Sequence, residues 1–352
     1  MLNKTEVPEF ILLGLTTSQG LQHSFFISFL LLYLATLVGN GAIVTLVTLE
    51  PRLHTPMYFL LGNLSCLDIF YSTATVPKML TVLLFGHQPI SFAGCLAQLH
   101  FFHFLGSTEA VLLAAMAYDR YVAICRPLRY ALLMSPQTCL LLAMASWSSG
   151  FVHALMHSVM TSQLSFCGRN HVQHFFCDIK PLLSLACSST SLNMTLLNVV
   201  TTSIALGPFI LIVLSYLYII SSIFQKVQRQ EGRWKPFSTC TSHLSVVVLF
   251  YIPVLFNYTP PSSGSSLERG VQVSLIYSAV TPALNPLIYT LRNQEVRSAL
   301  KKILGQERRQ RQEPSLRGRC APAPKLMNLK QKGLLRGFAA AALRREKPHG
   351  GQ

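Results

Sequence analysis

The sequence predicts an all-α membrane protein, a bundle of seven spanning helices, and three observations carry that prediction. Charged residues make up 12% of the 352, about half the share found in an ordinary soluble domain. Hydrophobic residues make up 51% and gather in seven windows, 24–49, 56–84, 94–118, 138–162, 193–224, 236–259 and 270–291. Each supplies the roughly 20 apolar residues that a helix needs to cross a hydrocarbon core, and together they leave no room for a large soluble domain. The third observation is where the formal charge of +16 sits. Arg126 and Arg129 follow the third window, Lys226, Arg229, Arg233 and Lys235 lie between the fifth and sixth, and Arg292, Arg297, Lys301 and Lys302 follow the seventh. The alternate connections are nearly neutral: 85–93 carries no charge and Glu268 offsets Arg269. Basic connections face the cytosol, so the amino terminus is expected outside and the carboxyl terminus inside. The charge is thereby explained by membrane orientation and lipid contact, without nucleic acid.

Taken in order, residues 1–23 form the outer amino terminus and 24–292 the bundle. Asn3-Lys4-Thr5 is a glycosylation acceptor on the outer side. The first ten residues are mixed polar, so the first span is expected to act as both signal and anchor. Pro56, Pro77, Pro208, Pro253, Pro282 and Pro286 mark helix ends or kinks. The connection 163–192 is the longest on the outer side and is expected to roof whatever the bundle holds. Nine cysteines sort by side: Cys95, Cys167, Cys177 and Cys187 fall on the oxidising face, where four thiols allow three pairings. Cys66, Cys125, Cys139, Cys240 and Cys320 fall in membrane or cytosol and should stay reduced. Residues 293–304 read as an amphipathic helix. Residues 305–352 hold twelve Lys or Arg against three Glu and read as a basic, disordered tail.

Charges inside spanning helices are costly and mark functional groups. Asp68 lies in span two, and Glu109 and Arg120 in span three. At 100° per residue, Phe102, Gly106, Glu109, Leu113, Met116 and Arg120 fall within about 40° of one meridian. An inward stripe thus runs from an apolar outer end through a mid-membrane acid to a basic inner end. Glu109 and Arg120 are about 16 Å apart along the axis, so Arg120 needs Asp119 or another helix as partner. In span seven, Ser278, Asn285 and Tyr289 share a face, with Pro286 loosening the helix beside them. Asp68, Glu109 and Asn285 are expected to converge on a polar cavity holding water, sodium or a proton; a hydrogen-bonded cluster without an ion is the other reading.

Six stretches carry a family resemblance: EFILLGLT (9–16), GN (39–40), LHTPMYFLLGNLSCLD (53–68), MAYDRYVAICRPLRY (116–130), FSTCTSHL (237–244) and PALNPLIYTLRN (282–293). In that order, over residues 3 to about 304, the chain resembles the vertebrate olfactory receptors, a branch of the rhodopsin-like G-protein-coupled receptors. The resemblance implies that Asp119, Arg120 and Tyr121 form the latch that opens toward a G protein. Tyr216 and Tyr289 would move toward Arg120, His243 would belong to the same region, and Asn285, Pro286 and Tyr289 would form the span-seven switch. It implies the pairings Cys95–Cys177 and Cys167–Cys187. It places an odorant pocket at Phe102, His103, Gly106 and Ser107 of span three and Thr201 and Ile204 of span five. Tyr251, Val254, Leu255 and Tyr258 of span six and Ser278 of span seven complete it. Such a wall suits a small volatile with one hydrogen-bonding group. The implied partner is the stimulatory olfactory G protein, which raises cyclic AMP at the plasma membrane of olfactory cilia; the same receptor could serve as a chemosensor outside the nose.

Three features depart from the family: Pro236 follows Lys235 near the start of span six, Pro253 lies beside the pocket, and the basic tail is longer than usual. His100 and His103, and His171, His174 and Cys177, have loosely metal-like spacing, but too few ligands for a metal expectation. No phosphate loop, zinc-protease motif or nucleophile elbow is present, so no enzyme is expected. A transporter or channel, the rival class, would show inverted repeats and paired broken helices, and neither is legible.

Overall fold

The computed structural model describes residues 9–302 apart from 17, 169, 227–229, 259–265 and 293–294. Side chains at 226, 230–239, 257–258, 266–269, 272 and 291–292 also lie outside the description. Asn3, the side chain of Tyr258 and the tail 305–352 therefore fall outside it.

Seven long helices form the bundle. They are α1 (Gln19–Leu49), α2 (Pro56–Phe85), α3 (Phe92–Cys125) and α4 (Pro136–Ser162), then α5, which runs through Ser191–Leu196, Leu197–Thr201 and Thr202–Lys226. Helix α6 spans Gln230–Tyr258, and α7 runs through Ser266–Leu275, Ile276–Val280 and Thr281–Arg292. The first five are long and apolar enough to cross a membrane, and α6 carries the apolar stretch Cys240–Phe256. Large apolar side chains such as Leu31, Val38, Phe70, Leu141, Val152 and Leu217 are exposed. An apolar surface of that extent is unstable in water and natural against lipid.

The helices overrun the apolar windows. Helix α3 has 34 residues, about 51 Å against a hydrocarbon core of about 30 Å. Its final turns therefore carry Asp119 and Arg120 past the apolar run without a break. Ser91 caps its start by accepting from Gly94 N at 3.1 Å, as Ser135 caps α4 by accepting from Thr138 N at 3.3 Å. Pro236, expected in the first turn of span six, instead lies seven residues into α6. Residues 295–302 are helical, with Val296 and Ala299 buried.

Close approach of α3 and α4 depends on Gly150. A Cβ there would collide with the Thr108 hydroxyl and lie 2.6 Å from the carbonyl oxygen of Phe104. Small residues let membrane helices meet backbone to backbone. Gly150→Ala is expected to cost about 1–3 kcal/mol by overpacking, read as a lower melting temperature of the purified receptor. An unchanged melting temperature would contradict this contact.

One element is not legible in the sequence. A three-stranded sheet forms from β1 (Glu9–Leu12), β2 (Gln88–Ser91) and β3 (His171–Val172), ordered β2-β1-β3. β1 pairs antiparallel with β2 (Phe10 opposite Ile90) and parallel with β3 (Ile11 opposite His171). Strands of two to four residues are too short to show a period-2 pattern. Beside the sheet, disulfides Cys95–Cys177 and Cys167–Cys187 tie the 163–190 loop to α3 and to itself. Gln98 on α3 accepts from Cys177 N and donates to Ala74 O on α2, both at 3.0 Å.

Candidate ligand cavity and signalling end

At the disulfide-bonded end the bundle opens into a cavity of about 740 Å³, counting the part open to solvent. Phe102, His103, Gly106 and Ser107 of α3, Thr201 and Ile204 of α5, and Val254 of α6 lie on its wall. Sequence reasoning missed Tyr71, Ala110, Phe250 and Tyr277, and Leu197 and Ala205 of α5. It also missed Asp178, Ile179 and Lys180, which the loop supplies. The available sign was Cys177: once bonded to the first turn of α3, it delivers the next three residues over the cavity.

Three expected wall residues are placed elsewhere. Tyr251 is buried and donates its hydroxyl to Ala110 O at 3.1 Å, packing on Phe209 with ring centroids 5.0 Å apart. Ser278 donates to Ser274 O of its own helix at 2.7 Å. Leu255 is half-buried but does not reach the cavity. The shift at Ser278 has a clear origin. Ile276–Val280 is a π turn, which holds one residue more than an α turn. The face extrapolated from Asn285 therefore slips by one position, and Tyr277 looks inward. A second π turn, Leu197–Thr201, sets Leu197 and Thr201 on the wall.

One side of the cavity is polar. His103 Nε2 lies 3.3 Å from Asp178 Oδ1, and because a carboxylate only accepts, Nε2 carries the proton. Burial pushes the Asp178 carboxyl up. The His103 hydrogen bond and charge, with His174 and the Ile179 N–H, outweigh it and hold the group at about 2. Behind the wall, Ser107 Oγ meets His153 Nδ1 at 2.8 Å, and Thr201 Oγ1 meets His153 Nε2 at 3.0 Å and His157 Nε2 at 2.9 Å. His153 and His157 stand one turn apart on α4, an H-x-x-x-H spacing that sequence reading passed over.

The loop forms the roof. His174 Nδ1 accepts from Phe176 N at 3.3 Å, and Phe176 packs on Phe102 with centroids 4.4 Å apart. Burial lowers the His174 imidazole to about 4, so it sits neutral in the fold. The unfolded imidazole protonates first as pH falls through its ordinary value near 6.5. Stability contributed by this group is thus complete above pH 6.5 and is lost from there toward pH 4. The melting temperature should fall across that window and fall less in His174→Phe; equal pH slopes in the two proteins would contradict it. His100 instead meets Ser158 Oγ of α4 at 3.1 Å, away from His103's partner. His171 is exposed whereas His174 is buried. Among the described residues, no three His, Cys, Asp or Glu are grouped as a metal site requires.

Deeper in the bundle, Asn285 Nδ2 donates to both oxygens of Asp68, at 3.0 and 3.2 Å. Asn40 Nδ2 donates to Thr36 O and Pro282 O, at 3.1 and 3.0 Å. Both Glu109 oxygens are buried with no hydrogen-bond partner among the described residues, as are Asn40 Oδ1 and Asn285 Oδ1. An unpartnered buried carboxyl demands a proton, water or cation. Oxygen-only donors suit a hard cation.

At the opposite end, Arg120 Nη2 lies 3.0 Å from Asp119 Oδ2. Asp119 does not act alone: its Oδ1 accepts from Tyr130 Oη at 2.8 Å. Burial and the neighbouring Asp119 charge push the Tyr130 phenol up, so it remains a donor. Tyr121 packs near Tyr118 and Tyr218, centroids 6.3 and 6.1 Å away. Tyr216 Oη meets His243 Nδ1 at 2.8 Å, and His243 Nε2 meets Leu113 O at 3.1 Å. A carbonyl only accepts, so His243 carries its proton on Nε2 and accepts from Tyr216. One side chain of α6 thereby clasps α5 and α3. Tyr289 Oη is buried without a hydrogen-bond partner among the described residues. Pro286 is buried against α1, where a Cβ on Gly39 would lie 2.9 Å from its Cβ.

A seven-helix bundle with a roofed cavity at one end and the Arg120–Asp119 pair at the other has the fold of a rhodopsin-like receptor. Squid rhodopsin superposes with a TM-score of 0.66 at 15% identity, over 89% of this chain and 90% of that one. Residues 29–307 match the olfactory receptor family. Human olfactory receptor 12D1 is 57% identical over 304 residues, 86% of this chain and 95% of that protein. Human olfactory receptor 12D3 is 58% identical over 307, covering 87% and 97%. Mouse olfactory receptor 5B21 is 48% identical over 304, covering 86% and 95%. The chain belongs to the olfactory receptor family, as a multi-pass membrane protein and not an enzyme.

Proposed function

We propose that the chain is an odorant receptor of the plasma membrane of olfactory cilia, its disulfide-bonded end outside and its carboxyl terminus in the cytosol. A small volatile binds in the cavity bounded by Phe102, His103, Ser107, Thr201 and Val254. The observation that carries this reading is the cavity itself: a mostly apolar wall with a few hydroxyls and one imidazole, closed by the loop carrying Asp178. Binding favours an arrangement in which Arg120 leaves Asp119 and α6 releases its clasp on α3 and α5. The opened end then admits a stimulatory olfactory G protein, which raises cyclic AMP. A ligand drives that change only by its differential affinity for the two arrangements. The test is expression with a stimulatory Gα and a screen of volatiles for cyclic AMP. A response to some members supports the reading; silence to a broad panel from surface-expressed receptor contradicts it.

Asp68, Glu109, Asn40 and Asn285 are proposed to hold a sodium ion or a shared proton in the resting arrangement. The orphaned oxygens of Glu109, Asn40 and Asn285, beside the Asp68 carboxylate, fit either, and both would favour the closed bundle. Replacing external sodium by choline at constant pH should raise basal cyclic AMP if the occupant is sodium. Lowering pH at constant sodium should depress it if the occupant is a proton. Insensitivity to both removes the proposal.

A further inference from the structure

The hydrogen-bond chain Ser107–His153–Thr201–His157 has a property that its four members taken singly lack. Each hydroxyl owns one hydrogen, and each neutral imidazole carries one N–H. Two directions run the chain head to tail with the Thr201 hydrogen inside it; in a third arrangement both imidazoles donate to Thr201, whose hydrogen then leaves the chain. In the first, His157 Nε2–H donates to Thr201, Thr201 donates to His153 Nε2, and His153 Nδ1–H donates to Ser107. The Ser107 hydrogen is then free to point into the cavity. In the second every bond reverses: Ser107 donates to His153 Nδ1, His153 Nε2–H donates to Thr201, and Thr201 donates to His157 Nε2. Ser107 then shows the cavity only lone pairs. Passing from the first to the second shifts each proton one place along the chain, with one proton leaving Ser107 to water and one arriving from water at His157 Nδ1, so that both rings end neutral.

Ser107 and Thr201 are on the cavity wall, whereas His153 and His157 stand behind it. The geometry is held tightly: His153 is buried, its ring centroid 4.7 Å from that of His157, and Gly150 brings α4 against α3 one turn earlier.

We infer that His153 and His157 are specificity-determining positioning residues. They form a reversible hydrogen-bond relay that lets Ser107 act as donor to carbonyl ligands and as acceptor to hydroxyl ligands of the same carbon skeleton. The ligand-class part of this inference rests on the odorant reading above. It predicts a receptor tuned to skeleton and indifferent to ketone against alcohol, because the wall adapts its polarity without moving a helix. In His153→Phe the Ser107 hydroxyl turns back to its own helix carbonyl, as serines do when unpartnered, and only the acceptor face remains.

Two readouts test it on the full-length receptor in lipid. The first needs no ligand: nitrogen-15 histidine NMR, with His153 assigned from its loss in His153→Phe. The relay predicts neutral His153 as a mixture of both tautomers, and a joint change of the His153 and His157 signals in Thr201→Val. A single His153 tautomer indifferent to Thr201→Val, or an imidazolium, would overturn it. The second uses octan-2-one and octan-2-ol. Wild type should respond to both with similar potency. His153→Phe should lose about tenfold on the ketone and hold the alcohol within about threefold, one hydrogen bond's worth. His153→Gln, which keeps a donor and an acceptor, should restore the ratio. Parallel loss of both responses would show a merely structural histidine and overturn the inference. A wild type silent to both probes and to the whole volatile panel contradicts the odorant reading, while the nitrogen spectra still decide the relay.

Discussion

Arg120→Ala abolishes the agonist-evoked cyclic AMP rise while surface expression stays within about twofold. The structure holds the guanidinium against Asp119, which is itself held by Tyr130. Loss of Arg120 therefore leaves an Asp119 that still has a hydrogen-bond donor, and folding survives. Coupling does not, because the last carbonyls of a docking Gα helix present partial negative charge that needs a cation. Truncating one member of a buried charged contact costs about 2–5 kcal/mol, so the response should fall roughly thirtyfold or more. Agonist dose–response of surface-matched cells measures this. A full-size response would remove Arg120 from the signalling path.

The second large effect is expected at the clasp. His243→Ala deletes the bond to Leu113 O and the bond from Tyr216 together. Each buried hydrogen bond contributes about 1 kcal/mol, so the closed arrangement should weaken by about 2 kcal/mol and basal cyclic AMP should rise roughly thirtyfold at most. Tyr216→Phe removes one of the two bonds and should raise it less. Basal output is the measurement, without agonist and at matched surface expression. A fall in basal output in both variants would mean that the clasp belongs to the active arrangement.

The sequence made the bundle legible because seven apolar windows need only length and composition. Its windows ended early wherever a helix ran past the hydrocarbon, as α3 does through Arg120 to Cys125. The inward stripe on α3 was legible because that helix keeps its α period: Phe102, Glu109, Leu113 and Met116 are all buried. On α7 the family resemblance put Ser278 on the wall, whereas the π turn at Ile276–Val280, which no residue type announces, brings Tyr277 there. Tyr251 was misplaced for a different reason: its hydroxyl found a backbone acceptor on α3 and turned from the cavity. The family resemblance selected the two disulfide pairings, which spacing alone left among three. The loop residues Asp178, Ile179 and Lys180 escaped because their place depends on the Cys177 bond and on no periodicity. The α4 histidines escaped because a lone imidazole on an apolar face reads as packing until its partners are seen.

On the proposed reading, an occupied cavity acts through a G protein and the buried charges do not conduct. It is tested most directly by recording cyclic AMP and membrane current together, in cells with and without the stimulatory Gα, during a pulse of an activating volatile. The expected result is a cyclic AMP rise that vanishes when the Gα is absent, with no current through the receptor itself. A volatile-evoked current that persists without any G protein would contradict it and make Asp68, Glu109 and Arg120 a conduction path.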